Sequence, residues 1–150
     1  MPKARKTWRE KLEKEQERKV VDTPKGRMLV PRPLDVDALV RKIKKGKLAT
    51  IDQIRERLAQ DFRAGYTCPL CTGMFLRISA EAAEEGLAKG QKQITPYWRV
   101  VKVDGGLNEK FPGGVEGQAA RLREEGHSIE PGQGRKTPVV KDFAKSLQRL

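Results

Sequence analysis

The sequence predicts a mostly α fold: a winged helix-turn-helix, with one short β-hairpin as the wing and flexible basic tails. Three observations predict it. Apolar residues recur at helical spacing in four segments between positions 34 and 126. Residues 98–103, Trp-Arg-Val-Val-Lys-Val, have strand composition and end at an Asp104-Gly105-Gly106 turn. The net positive charge lies mostly outside these segments.

Basic and acidic groups alternate over residues 5–19, with Glu10 and Lys14, and Glu15 and Lys19, four apart. Trp8 and Leu12 supply nearly all the apolar content there, too little to bury, so this reads as a mobile arm that orders on a partner. Pro24, Gly26, Pro31 and Pro33 read as a linker. Asp35 then suits an N-cap, with Val36, Leu39, Val40 and Ile43 as the inner face and Gly46 as the stop. Thr50 and Gln53 form a capping box for a second helix with Ile51, Ile54 and Leu58 inward, broken at Gly65. A third helix opens near Pro69, with Cys71, Met74, Phe75, Ile78 and Ala82 on one face. Residues 86–93 read as a loop, 111–114 as a tight turn, and Val115, Ala119 and Leu122 as a last helix closed by Gly126. The expected division is arm and linker over 1–33, domain over 34–130 and basic tail over 131–150.

A chain of 150 residues, 37% hydrophobic with eight aromatics, supports one core. No apolar run approaches the roughly 18 residues of a membrane span, and no apolar stretch follows the basic N-terminus as in a signal peptide. Two cysteines make no disulfide framework, and the chain reads as cytoplasmic. The net charge is +12, of which residues 1–33 carry +6 and residues 134–150 carry +4. Such an excess favours a polyanion, because each phosphate neutralised releases counterions. Nucleic acid is the first partner to consider; the plainer alternative is that basic tails keep a small protein soluble.

Cys68-Pro-Leu-Cys71 has the spacing of a zinc half-site or a redox pair. Zinc lacks ligands, since His127 and carboxylates are all that remain, so no metal or cofactor is expected. A dithiol at a helix N-terminus has a lowered pKa, which leaves redox chemistry open beside the plainer reading of two small buried residues. The helices after Thr50 and Pro69 fit a helix-turn-helix whose second member carries Thr72, Gly73 and Arg77 toward a groove. Tyr97, Trp98 and Arg99 suit stacking on bases and pairing with phosphate; alternatively they enter the core. Adjacent strand residues face opposite sides, so Tyr97 is expected in a pocket and Trp98 turned inward.

Four motifs in order resemble one family. Residues 46–51 (Gly-Lys-Leu-Ala-Thr-Ile), 96–101 (Pro-Tyr-Trp-Arg-Val-Val), 111–115 (Phe-Pro-Gly-Gly-Val) and 125–127 (Glu-Gly-His) resemble the DNA-binding domain of O6-alkylguanine-DNA alkyltransferases. The resemblance implies a winged helix-turn-helix that flips a guanine into a pocket and transfers its alkyl group to a cysteine activated by histidine and glutamate. Tyr97 stands at the cysteine position and Trp98 at the histidine position; Glu125 matches the glutamate. A phenol of pKa about 10 is a poor nucleophile at neutral pH. The chain is therefore closest to alkyltransferase-like proteins, which bind O6-alkylguanine without repairing it.

That likeness implies a non-enzymatic, monomeric binder of double-stranded DNA that senses alkylated or distorted sites and passes them to nucleotide excision repair proteins. Its expected lesion pocket is Tyr97, Trp98, Phe111, Pro112, Gly113 and Glu125. Its expected DNA contacts are Lys44, Lys45, Lys47, Thr50, Ile51, Thr72, Gly73, Arg77 and Arg99. The alternatives are a general nucleic-acid binder on the same scaffold and a thiol or redox protein using Cys68 and Cys71.

Overall fold

A computed structural model describes residues 7–14 and 16–150. Its elements run α1 (Trp8–Glu13), β1 (Lys19–Thr23), β2 (Gly26–Val30), α2 (Pro33–Val40), β3 (Ala49–Thr50), α3 (Ile51–Asp61) and β4 (Tyr66–Thr67). There follow α4 (Pro69–Ala88), β5 (Val100–Val101), α5 (Gly114–Glu124), β6 (Ile129–Glu130) and β7 (Val139–Val140). The fold mixes helices with three small sheets rather than being mostly α, because segments expected as tails and linker form strands.

The largest correction is at the N-terminus. The expected linker is a β-hairpin: β1 pairs antiparallel with β2, Thr23 opposite Gly26, and β2 pairs parallel with β4. Val20, Val21, Met28, Leu29 and Val30 flank a Pro24-Lys25-Gly26 turn, and Leu29 is fully buried. The arm before it docks on α4. Leu12 is buried, and the Glu85 carboxylate accepts the backbone N–H groups of Trp8 and Arg9 at 3.1 and 3.2 Å. That carboxylate satisfies donors a helix start leaves open. Arg9 pairs with Glu13 along α1, while the expected Glu15 to Lys19 pair lies outside the described residues.

The expected C-terminal tail is also packed. Gln148 holds the end of the chain by donating its backbone N–H to Leu48 O and its side-chain amide to Lys42 O. Val140 is buried, and β7 pairs with β6. Residues 98–106 hold less strand than expected: a 3-10 turn at Tyr97–Arg99, then the two residues of β5, then a turn at Gly105 and Gly106. Lys102 closes the turn by donating its N–H to Gly106 O, and Gly106 also bridges to Val139 of the C-terminal segment.

The helical starts follow cap chemistry. Thr50 caps α3 by accepting the Gln53 N–H while the Gln53 side chain accepts the Thr50 N–H. Pro69 opens α4, whose last turn reaches into the expected 86–93 loop. Gly126 ends α5 with φ of 95°, and the His127 N–H donates to Leu122 O, a Schellman stop. In α2, Asp35 is the third helical residue and not the cap; Arg32 precedes Pro33 and donates its N–H to the Asp35 carboxylate. Burial would raise the Asp35 carboxyl, but Arg18 and Arg32 outweigh it and hold it down to about 2. The helix ends at Val40, yet Ile43 remains buried.

One buried carboxylate locks three elements together. Asp37 on α2 accepts the hydroxyls of Ser79 on α4 at 2.6 Å and Thr95 at 2.8 Å, and the Arg41 Nε–H at 2.7 Å. Around this polar knot the core joins Leu39 and Val40 of α2, Ile54 and Leu58 of α3, Leu76 and Ala80 of α4, and Leu122 of α5.

Candidate nucleic-acid interface

Parallel pairing of β3 with β5, Ala49 opposite Val100 and Thr50 opposite Val101, lays residues 46–51 beside residues 96–101. The other two motifs close on this seam. Phe111 packs edge-on against Tyr97, ring centroids 5.1 Å apart, and Glu125 reaches Trp98 and Arg99. Four motifs far apart in sequence thus form one cluster.

Tyr97 is 2% exposed and sits in the core, which corrects the expectation that it faces a pocket. The strand argument fails because residues 97–99 form a 3-10 turn, where alternation does not apply. Its hydroxyl donates to Glu84 Oε1 at 2.6 Å, and Arg121 donates to the same oxygen at 2.6 Å. Burial, with the Glu84 carboxylate beside it, pushes the phenol well above its ordinary range. The group at this position is therefore a protonated hydrogen-bond donor.

Trp98, 8% exposed, donates its indole N–H to Glu125 Oε2 at 3.1 Å, and Arg121 lies over its ring at 4.4 Å. An indole N–H can donate but never accept, so this pair cannot relay a proton as an imidazole and carboxylate would. Arg99 forks onto Glu125, Nε to Oε1 at 2.9 Å and Nη2 to Oε2 at 2.7 Å, and donates Nη1–H to Ile43 O. Burial would raise the Glu125 carboxyl, but the hydrogen bonds from Arg99 and Trp98 outweigh it and hold it below the usual range. Burial lowers His127 against the opposing pull of Glu125.

Of the other expected pocket residues, Phe111 is core, Pro112 is half-buried, and Gly113 is exposed with φ of 80° just before α5. Of the expected DNA contacts, Lys44, Lys45, Lys47 and Arg77 are exposed, and Ile51 and Gly73 are half-buried. Three are corrected. Thr50 is spent on its cap, Thr72 is fully buried with its hydroxyl donated to Cys68 O, and Arg99 is locked on Glu125. Ser and Thr near a helix start commonly turn their hydroxyls on the backbone, which explains the first two.

Sequence reading missed Gln118, Glu84 and Arg121. Gln118 is fully buried; its amide donates to Trp98 O and Val100 O, and its carbonyl accepts the Asn108 N–H at 2.7 Å. A polar residue inside the Val115, Ala119, Leu122 stripe was the available signal. Glu84 and Arg121 meet from helices 37 residues apart, and nothing local announces them.

Two clefts adjoin the cluster. One of about 30 Å³ lies between Ile51, Leu76, Val100, Val101, Lys102 and Asn108, room for one or two waters and not for a base. The other, about 440 Å³, is lined by Arg41, Leu87, Pro96, Trp98, Arg99 and Arg121 among others, at the far end of α4 from Pro69.

The chain aligns with S. pombe Atl1 in the crystal structure of its complex with damaged DNA containing O6-carboxymethylguanine. The TM-score is 0.53 at 19% identity, over 79% of this chain and 94% of that one. The chain has the Atl1 fold. An S. pombe ATL structure in complex with DNA aligns over the same shares at 20% identity and a TM-score of 0.48. No family model and no curated protein matches the sequence. The Atl1 fold thus carries this chain's buried Tyr97 and its Trp98–Glu125 pair.

Proposed function

We propose that this protein is a non-enzymatic DNA binder of the alkyltransferase-like kind, a winged helix-turn-helix built on α3 and α4 that recognises alkylated or distorted DNA. In this reading it presents such sites to nucleotide excision repair proteins. The observation that carries it is the state of Tyr97, the residue that the motif resemblance aligns with the acceptor cysteine: a buried phenol, hydrogen-bonded to Glu84 and held protonated. Alkyl transfer needs an activated nucleophile, and none stands there. The exposed Lys44, Lys45, Lys47 and Arg77 supply phosphate contacts, and the net charge of +12 supplies the long-range attraction.

The narrow cleft beside Ile51 shapes how such a protein reads damage. The larger cleft at Trp98 lies away from it, at the far end of α4 from Pro69. In this reading the surface beside Ile51, with room for one or two waters and none for a purine, senses how easily the duplex deforms. Titration by fluorescence anisotropy should rank an O6-methylguanine duplex and a mismatched duplex together, several-fold tighter than the matched duplex, with similar salt slopes. The same cleft favours the second reading, a general nucleic-acid binder. Equal affinity for all three duplexes would select it.

A further inference from the structure

Cys68 and Cys71 play no part in that reading, yet their geometry is specific. The Cys-Pro-Leu-Cys spacing puts both on the first turn of α4, Cα atoms 5.3 Å apart, within disulfide range, and the structure joins them. The two sulfurs are not equivalent. Cys68 is buried, caps the helix, and its Sγ accepts the Cys71 backbone N–H at 3.1 Å. Cys71 is half-buried and borders an exposed apolar face: Leu70 is 74% exposed and Met74 53%, one turn apart on the same side.

We infer that Cys68 and Cys71 form a reversible thiol–disulfide site that takes two electrons from a dithiol partner, with Cys71 attacked and Cys68 released. The partner's thiolate attacks Cys71 Sγ; a mixed disulfide forms, the Cys68–Cys71 bond breaks, and its electron pair leaves on Cys68. The released thiolate forms where a helix N-terminus and the Cys71 N–H already face it. The partner's second thiol then attacks its own sulfur in the mixed disulfide, freeing Cys71, which takes up a proton. The partner departs as a disulfide.

The turn that holds the pair does not depend on the bond. Cys68 N–H donates to Leu29 O, and the Thr72 N–H and hydroxyl both donate to Cys68 O. Reduction therefore leaves the two thiols side by side, set for reoxidation. The Leu70 and Met74 face offers an apolar rim to a dithiol protein.

The test uses the full chain without denaturant. Dithiothreitol, and separately thioredoxin with its reductant, are added, the thiols are trapped with iodoacetamide, and intact mass is read beside circular dichroism. Both cysteines should become alkylated within minutes while the fold persists. In the Cys71→Ser variant, Cys68 should be alkylated with a midpoint about one pH unit or more below the ordinary thiol value of roughly 8.5, and below that of Cys71 in Cys68→Ser. A disulfide that resists until the protein unfolds would overturn the inference. So would Cys71 showing the lower midpoint of the two.

Discussion

Glu125→Gln is expected to destabilise the fold by about 3–5 kcal/mol, the cost of leaving a buried charge without its partner. The side chains of Arg99 and Glu125 are only 13% and 7% exposed, and both carboxylate oxygens are in use. A neutral amide offers one acceptor oxygen and turns an NH₂ toward the guanidinium, so Arg99 loses its charge partner and Trp98 competes for what remains. Urea unfolding should show the loss as a lower midpoint at unchanged slope. The effect has a pH signature. The folded-state pKa of Glu125 is depressed from 4.5, so its stabilisation is complete above that value and fades as pH falls through the folded value. Asp35, depressed from 3.8 to about 2, behaves alike over that lower window. Wild-type stability should therefore fall from about pH 4.5 down to about 2, and the variant's should fall less.

Deleting residues 1–33 should abolish the folded state. The sequence alone predicts the opposite, a domain that folds without them, because those residues read as arm and linker. In the structure the deletion removes Leu12 and Leu29 from the buried set, two apolar side chains at about 1.5–3 kcal/mol each. It also strips β4 of its sheet partner and Asp35 of Arg18 and Arg32. Against a total stability of about 5–15 kcal/mol, that is most of the margin. Circular dichroism and thermal melting of residues 34–150 should show no cooperative transition. A native-like melt would mean that the hairpin and α1 are dispensable.

How far the fold is legible depends on whether its signal is local. The Thr50 and Gln53 capping box, Pro69 at the head of α4 and Gly126 at the stop of α5 are local chemistry, and each appears where expected. The β1–β2 hairpin was legible too, in Val20-Val21 and Met28-Leu29-Val30 on either side of a Pro-Lys-Gly turn, but the spacing of Pro24, Gly26, Pro31 and Pro33 suggested a linker. What the sequence could not display is pairing at long range: Trp8 and Arg9 on Glu85, Asp37 with Ser79 and Thr95, Gln148 on Leu48. The cluster was legible as four ordered motifs, and the roles within it were not. Tyr97 and Trp98 differ in surroundings because residues 97–99 turn as a 3-10 helix, a conformation that leaves no periodic signature over three residues.

Native mass spectrometry of the protein mixed with an equimolar O6-methylguanine duplex tests the central proposal most directly, because one spectrum reads both binding and transfer. The expected spectrum holds a one-to-one complex which, on dissociation, releases protein and duplex at their starting masses. Protein heavier by one methyl group, with the duplex lighter by the same amount, would contradict it, and so would the absence of any complex.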